Sequence, residues 1–154
     1  MSTFDLEHIG NIFTDASVEV LSASTGLNFD ISSKKCECDL DDMVSFLSLY
    51  GENNGMLFIS ASQAAARSLC ASMTGTKESE VVADDVGDAL CELTNMVAGN
   101  AKLRFNNAGT VYTLSPLFLI TGKEMIINTK KRINVVSKCL VCDNLSIIVK
   151  VIFF

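Results

Sequence analysis

The stretch DDVGDALCELTNMVAGNAK, residues 84 to 102, constrains this chain more than any other segment. At about 100° per residue, an α-helix here gathers Val86, Leu90, Leu93, Val97 and Ala101 on one side. Asp88, Glu92, Asn95 and Gly99 fall nearly opposite them. Such a helix needs an apolar surface to lie on and leaves a narrow polar stripe outside. That stripe sets a carboxylate and a carboxamide one turn apart, beside a glycine that clears space. Residues of these types also occur on ordinary solvated helix faces. The stripe therefore reads either as a device for meeting a partner or as a wet surface.

Residues 3 to 23 repeat the helical pattern, with Phe4, Ile9, Ile12, Phe13, Ala16, Val20 and Leu21 apolar and Gly26 as the stop. SASQAAARSLCASMTG, residues 60 to 75, predicts another helix, N-capped by Ser60 or Ser62 and ended by Gly75. Strand-like runs occupy about 28 to 37, 43 to 50 and 55 to 60, and later 110 to 120, 124 to 128, 132 to 142 and 145 to 153. GENNG, Thr121-Gly122 and Asp143-Asn144 mark turns between them. Each half thus reads as a helix followed by several strands. Laying Asn11 over Asn95 aligns HIGNIFTDA weakly with ELTNMVAGNA, with His8 at the place of Glu92 and Phe4 at that of Asp88. On this reading only the second helix keeps the polar set. His8 is then an ordinary helix residue, because no carboxylate or nucleophile is placed to work with it.

A chain of 154 residues suits one domain with a real core, so residues 1–154 are read as a single unit. With 49% apolar and 19% charged residues it is not disordered. Its mean hydropathy is positive, but no run approaches the roughly 18 apolar residues of a spanning helix. SIIVKVIFF is short and interrupted by Lys150. MSTFDLEHIG lacks the basic start and apolar core of a signal peptide. A cytoplasmic protein without membrane insertion is expected. The net charge of −6 disfavours nucleic acid as a partner. The basic run TKKR (129–132), with no interleaved aromatics, reads as a solvated turn.

Six cysteines should be reduced in that compartment. Cys36-x-Cys38 and Cys139-x-x-Cys142 could supply four thiolates to zinc. Both pairs sit in strand-like surroundings, without the tight glycine-containing loops of zinc knuckles, which favours small buried side chains over a metal. No Ser-His-Asp, metal-histidine or phosphate-loop pattern competes, since GENNG and MTGTK lack the P-loop spacing.

Asp88-x3-Glu92-x2-Asn95, followed some twenty residues later by Pro116, resembles the signature of the CheC/CheX/FliY chemotaxis phosphatases. NMVAGNAK and SPLFLITG look specifically like CheX. Pro116 comes slightly early, which implies a small deletion in the connecting loop. The resemblance covers residues 84 to 122 well, and the rest through the order of elements. It implies an α+β, CheC/CheX-like fold of two pseudo-duplicated halves, with long helices packed on one face of an extended antiparallel sheet. It also implies a homodimer through sheet edges, for which the long apolar C-terminal strands would serve. The implied substrate is a phosphorylated CheY-like receiver domain, whose aspartyl phosphate is hydrolysed.

On this resemblance the chain has no cofactor of its own, because the receiver supplies Mg2+ and a lysine. What remains for the phosphatase is to hold a water in line with the breaking P–O bond. Asn95 is the candidate for that task, since an amide binds water without repelling phosphoryl oxygens. Glu92 would pair with the receiver's lysine. Asp88 has a docking role or simply favours the helix dipole, and Gly99 invites a close partner. Asn100 reads as a buried, hydrogen-bonded amide and Pro116 as the shaper of a strand edge. Two other readings stand beside the enzyme. One is a non-catalytic adaptor of the same fold that binds receiver or flagellar-switch proteins. The other is a zinc- or redox-linked module built on the cysteines.

Overall fold

The computed structural model describes residues 5–128 and 133–154; Phe4 and the TKKR run lie outside the described residues. Three helices form one layer: α1 (Leu6–Thr25), α2 (Gln63–Thr74) and α3 (Ala83–Asn107). Asp5 caps α1 by accepting from the His8 backbone N–H at 3.0 Å. Ser62, not Ser60, caps α2 by accepting from Ala65. Gly26 (φ 73°) and Gly75 (φ 68°) end the first two helices in the left-handed region that glycine enters without a Cβ clash.

The strands are β1 (Asp30–Ile31), β2 (Met43–Tyr50), β3 (Gly55–Ala61), β4 (Thr113–Leu114), β5 (Phe118–Thr121), β6 (Asn134–Cys142) and β7 (Leu145–Phe153). They make one antiparallel sheet in the order β1-β6-β7-β3-β2-β4, with β5 also pairing β2. Side chains alternate between its faces. Leu47, Leu49, Leu57, Ile59, Val149, Val151 and Phe153 meet Phe13, Leu21, Leu90, Leu93, Val97 and Phe105 of α1 and α3. Fully burying each such side chain contributes about 1.5–3 kcal/mol. The α+β expectation, with long helices on one face of the sheet, holds. Among the described residues, no helix is long and apolar enough to cross a membrane.

The opposite face carries a smaller core of Leu40, Val44, Phe58 and Ile152. Irregular chain covers it. Asp39 holds that cover: one carboxylate oxygen accepts from the Ile127 N–H at 2.9 Å, and the other pairs with the Lys150 ammonium. Lys150 is 5% exposed, so the residue that interrupts the apolar C-terminal run is a buried, paired charge.

Four expected features differ. The run 28 to 37 is strand only at Asp30–Ile31, because the Ser32 hydroxyl takes the Lys34 N–H into a local turn. No strand forms at 124 to 128: Glu124 turns with φ 52°, and Ile127 bonds to Asp39 instead of a ladder. The run 110 to 120 splits into β4 and β5 around Pro116, which has no N–H to donate. Ser115 bridges the break, donating its N–H to Ser48 O and accepting the Ser48 N–H on its hydroxyl. Lastly, β7 is paired on both sides and offers no dimer edge. Among the described residues, the longer open edges are β5 and residues 134–138 of β6, and the two-residue strands β1 and β4 are also paired on one side only.

Candidate active site

The helix α3 begins beside Asp84 and Asp85 and has Arg104 in its last turn, charges that suit the two ends of the helix dipole. It runs five residues past the stretch read from sequence, to Asn107, and Ala108 caps it before Gly109 turns the chain with φ 83°. Val86, Leu90, Leu93, Val97 and Ala101 are buried, as are Gly87, Ala89, Thr94, Ala98 and Phe105. Asp88, Glu92, Asn95 and Gly99 are exposed in one line along the outer side. The two stripes lie where the sequence put them.

Among the described residues, Asp88, Glu92 and Asn95 make no side-chain hydrogen bond or ion pair. Their polar atoms are free for water or a partner. Nothing lies within 4 Å of a Cβ built on Gly99, so no neighbour in the fold requires glycine there. The four residues are thus brought together on a rigid rod packed between α1, α2 and the sheet. They form a ridge that a second macromolecule can straddle.

Asn100 differs from its expected place. It is half-buried on the flank towards α1, and its carbonyl accepts from Arg104 Nε at 2.7 Å. The Arg104 guanidinium also pairs with Glu19 of α1. This clamp, with the Ser24 hydroxyl against Met96 Sδ at 3.9 Å, fixes the two long helices side by side. Sequence reading missed Arg104 and Glu19, although the four-residue spacing of Asn100 and Arg104 was a visible signal. It also missed Gly87. A Cβ there would stand 2.7 Å from Leu119 Cδ2, so β5 crosses α3 closely beside Asp88. Pro116 lies in the break between β4 and β5, two residues before β5 begins.

On α1, His8 and Asn11 are exposed as well, but His8 stands where Glu92 stands on α3, so the Glu-x2-Asn pair itself is not repeated there. The cysteine pairs do not make a four-thiolate site. Cys139 and Cys142 are three residues apart on β6, so their side chains leave opposite faces of the sheet. Cys142 packs against the helix-side core. Among the described residues, no group of three His, Cys, Asp or Glu side chains could hold a metal ion.

The family described as chemotaxis phosphatase CheX matches residues 43–139 of the chain. A comparison with curated proteins finds no match. Among solved structures, the chemotaxis protein CheX from Desulfovibrio desulfuricans is 20% identical with a TM-score of 0.81, covering 96% of this chain and 99% of its own. A CheC-like protein from Shewanella sp. PV-4 is 21% identical with a TM-score of 0.84, covering 96% and 98%. A third is CheX of Borrelia burgdorferi, solved in complex with CheY, BeF3 and Mg2+. It is 19% identical with a TM-score of 0.74, covering 93% and 95%.

Proposed function

The chain belongs to the CheX family of chemotaxis phosphatases, and from that premise we propose that it hydrolyses the aspartyl phosphate of a CheY-like response regulator. The Borrelia relative's complex with CheY supports a receiver domain as the partner. The observation that carries the reading is the exposed Glu92/Asn95 pair, without side-chain partners among the described residues and on a helix fixed along both sides.

The chemistry follows from what the substrate lacks. An acyl phosphate is already activated, and the receiver brings Mg2+ and a lysine to balance the phosphoryl charge. An in-line water is still needed. The Asn95 carboxamide accepts from that water and donates to it, and being neutral it is not repelled by the phosphoryl oxygens. The Glu92 carboxylate, one turn away on the same face, pairs with the receiver's lysine and fixes the register of docking. Asp88 and Gly99 extend the contact at either end. The chain acts as a homodimer joined through sheet edges. Of the open edges, β5 is the better candidate, because Phe118, Leu119 and Ile120 are all exposed along it.

Incubating the protein with a phosphorylated receiver and Mg2+ tests the reading. Phosphate release should accelerate, and Asn95→Ala should reduce it by about 10²-fold or more with binding retained. A complex that forms without any change in release would identify the adaptor instead. No effect on any cognate receiver would end the phosphatase reading.

A further inference from the structure

Two cysteines that are far apart in the sequence meet on the sheet face that carries no helix. Cys139 lies on β6, on the same face as Val135 and Ser137. Cys36 arrives from the loop after β1, its Sγ 3.7 Å from Ser137 Oγ and within side-chain hydrogen-bonding reach of Cys139. Cys139 Sγ stands 2.8 Å from Ser146 Oγ. Beside them opens a cavity of about 550 Å3 that Cys36 and Ser137 line, together with two cations, Lys35 and Lys150, and two carboxylates, Glu37 and Asp39. A water molecule's share of liquid volume is about 30 Å3, so a small oxidant fits easily.

We propose that Cys36 and Cys139 form a site of reversible oxidation, closing a disulfide when a hydroperoxide enters this cavity. The Cys36 thiolate attacks a peroxide oxygen and the O–O bond breaks. Cys36 becomes a sulfenic acid, and the departing hydroxide or alkoxide takes up a proton. The Cys139 sulfur then attacks the Cys36 sulfur, the S–OH bond breaks, and the hydroxide leaves as water with the proton of Cys139. With hydrogen peroxide, two thiols and one peroxide give one disulfide and two waters.

The roles divide by surroundings. Cys36 is half-exposed and lines the cavity, where an entering oxidant meets it first, whereas Cys139 is not one of the lining residues. Burial pushes the Cys139 thiol above its usual range, partly offset by its hydrogen bond with Ser146, which suits a resolving partner. Burial and the Asp41 carboxylate push Cys38 up in the same direction. Cys142 faces the other side of the sheet, while Cys70 and Cys91 belong to the helix layer. The bridge would tie the loop that carries Asp39 to β6. Because α3 lies on the opposite face, the proposal stands independently of the phosphatase reading.

The test treats the reduced chain with hydrogen peroxide, blocks remaining thiols, and maps peptides without reductant. The expected product is a Cys36–Cys139 peptide pair that dithiothreitol reverses, with Tm raised by several degrees on closing a loop of roughly 100 residues. Cys36→Ser and Cys139→Ser should each abolish both effects, while Cys38→Ser and Cys142→Ser retain them. A Cys36–Cys38 bridge would overturn the proposal. So would sulfinic acid without a bridge, or no reaction under conditions that oxidise free cysteine.

Discussion

Replacing Gly99 by alanine separates what the fold wants at this position from what a partner wants. Glycine inside a helix is about 1 kcal/mol less favourable than alanine. Among the described residues, nothing beyond the helix's own backbone and the adjoining residues lies within 4 Å of the added methyl group, so no overpacking opposes the gain. Gly99→Ala should therefore stabilise the protein by about 0.5–1 kcal/mol, which for this chain length means roughly 1–4 °C in Tm. The same change at Gly10 of α1 provides the control. There the Cβ would stand 2.8 and 2.9 Å from the two methyl groups of Val136 and 3.3 Å from its Cβ. Valine is stiff about χ1 and cannot swing both methyls away. Overpacking of about 1–3 kcal/mol then outweighs the propensity gain, so Gly10→Ala should lower Tm. Thermal unfolding of both variants checks the signs, and receiver dephosphorylation by Gly99→Ala reads the function. A raised KM with kcat little changed would mean that the glycine serves docking. A Gly99→Ala variant less stable than wild type would refute the structural reasoning. One that is stabilised with unaltered kinetics would refute the docking role.

Glu92→Gln keeps shape and removes charge; it should reduce receiver turnover about tenfold or more, the scale of a charge-assisted hydrogen bond, and leave Tm unchanged because Glu92 has no side-chain partner among the described residues. A clear drop in Tm would make the residue structural. Asp39→Ala strands the Lys150 ammonium, whose side chain is 6% exposed. It should cost about 2–3 kcal/mol in urea unfolding, less than a fully buried pair because Asp39 is one-third exposed. Lys150→Met, which fills the site with an apolar chain, should be near neutral or stabilising, and equal losses in both variants would contradict this account of the pair. Ile120→Lys places a charge on the β5 edge and should shift the protein to monomer in sedimentation or light scattering; an unchanged dimer would move the interface to the open part of β6.

Much of the candidate site was legible because it is local. The period of 3.6 residues placed Val86, Leu90, Leu93, Val97 and Ala101 on one side of α3 and Asp88, Glu92, Asn95 and Gly99 on the other, and burial follows that division. Turn chemistry likewise marked Gly26 and Gly75 as helix ends. Even the separation of Cys139 from Cys142 was present in the period of a strand. Strand boundaries were less legible. Ser32 and Glu124 close local turns, and Asp39 captures the Ile127 N–H, so segments of strand-like composition stay irregular.

By itself, then, the sequence determined the helices, the glycine stops of the first two and the composition of the outward stripe, since these depend on neighbours within a turn or two. The tertiary structure decided which strand is interior and which is an edge, because a strand's two sides are filled by segments distant in the chain: β7 lies between β3 and β6. It also decided that Lys150 is a buried, paired charge, that Cys36 meets Cys139, and that Gly10 admits Val136. Each is a contact between residues with no periodic relation. No local pattern can announce such a contact, because its free energy exists only once both segments are packed.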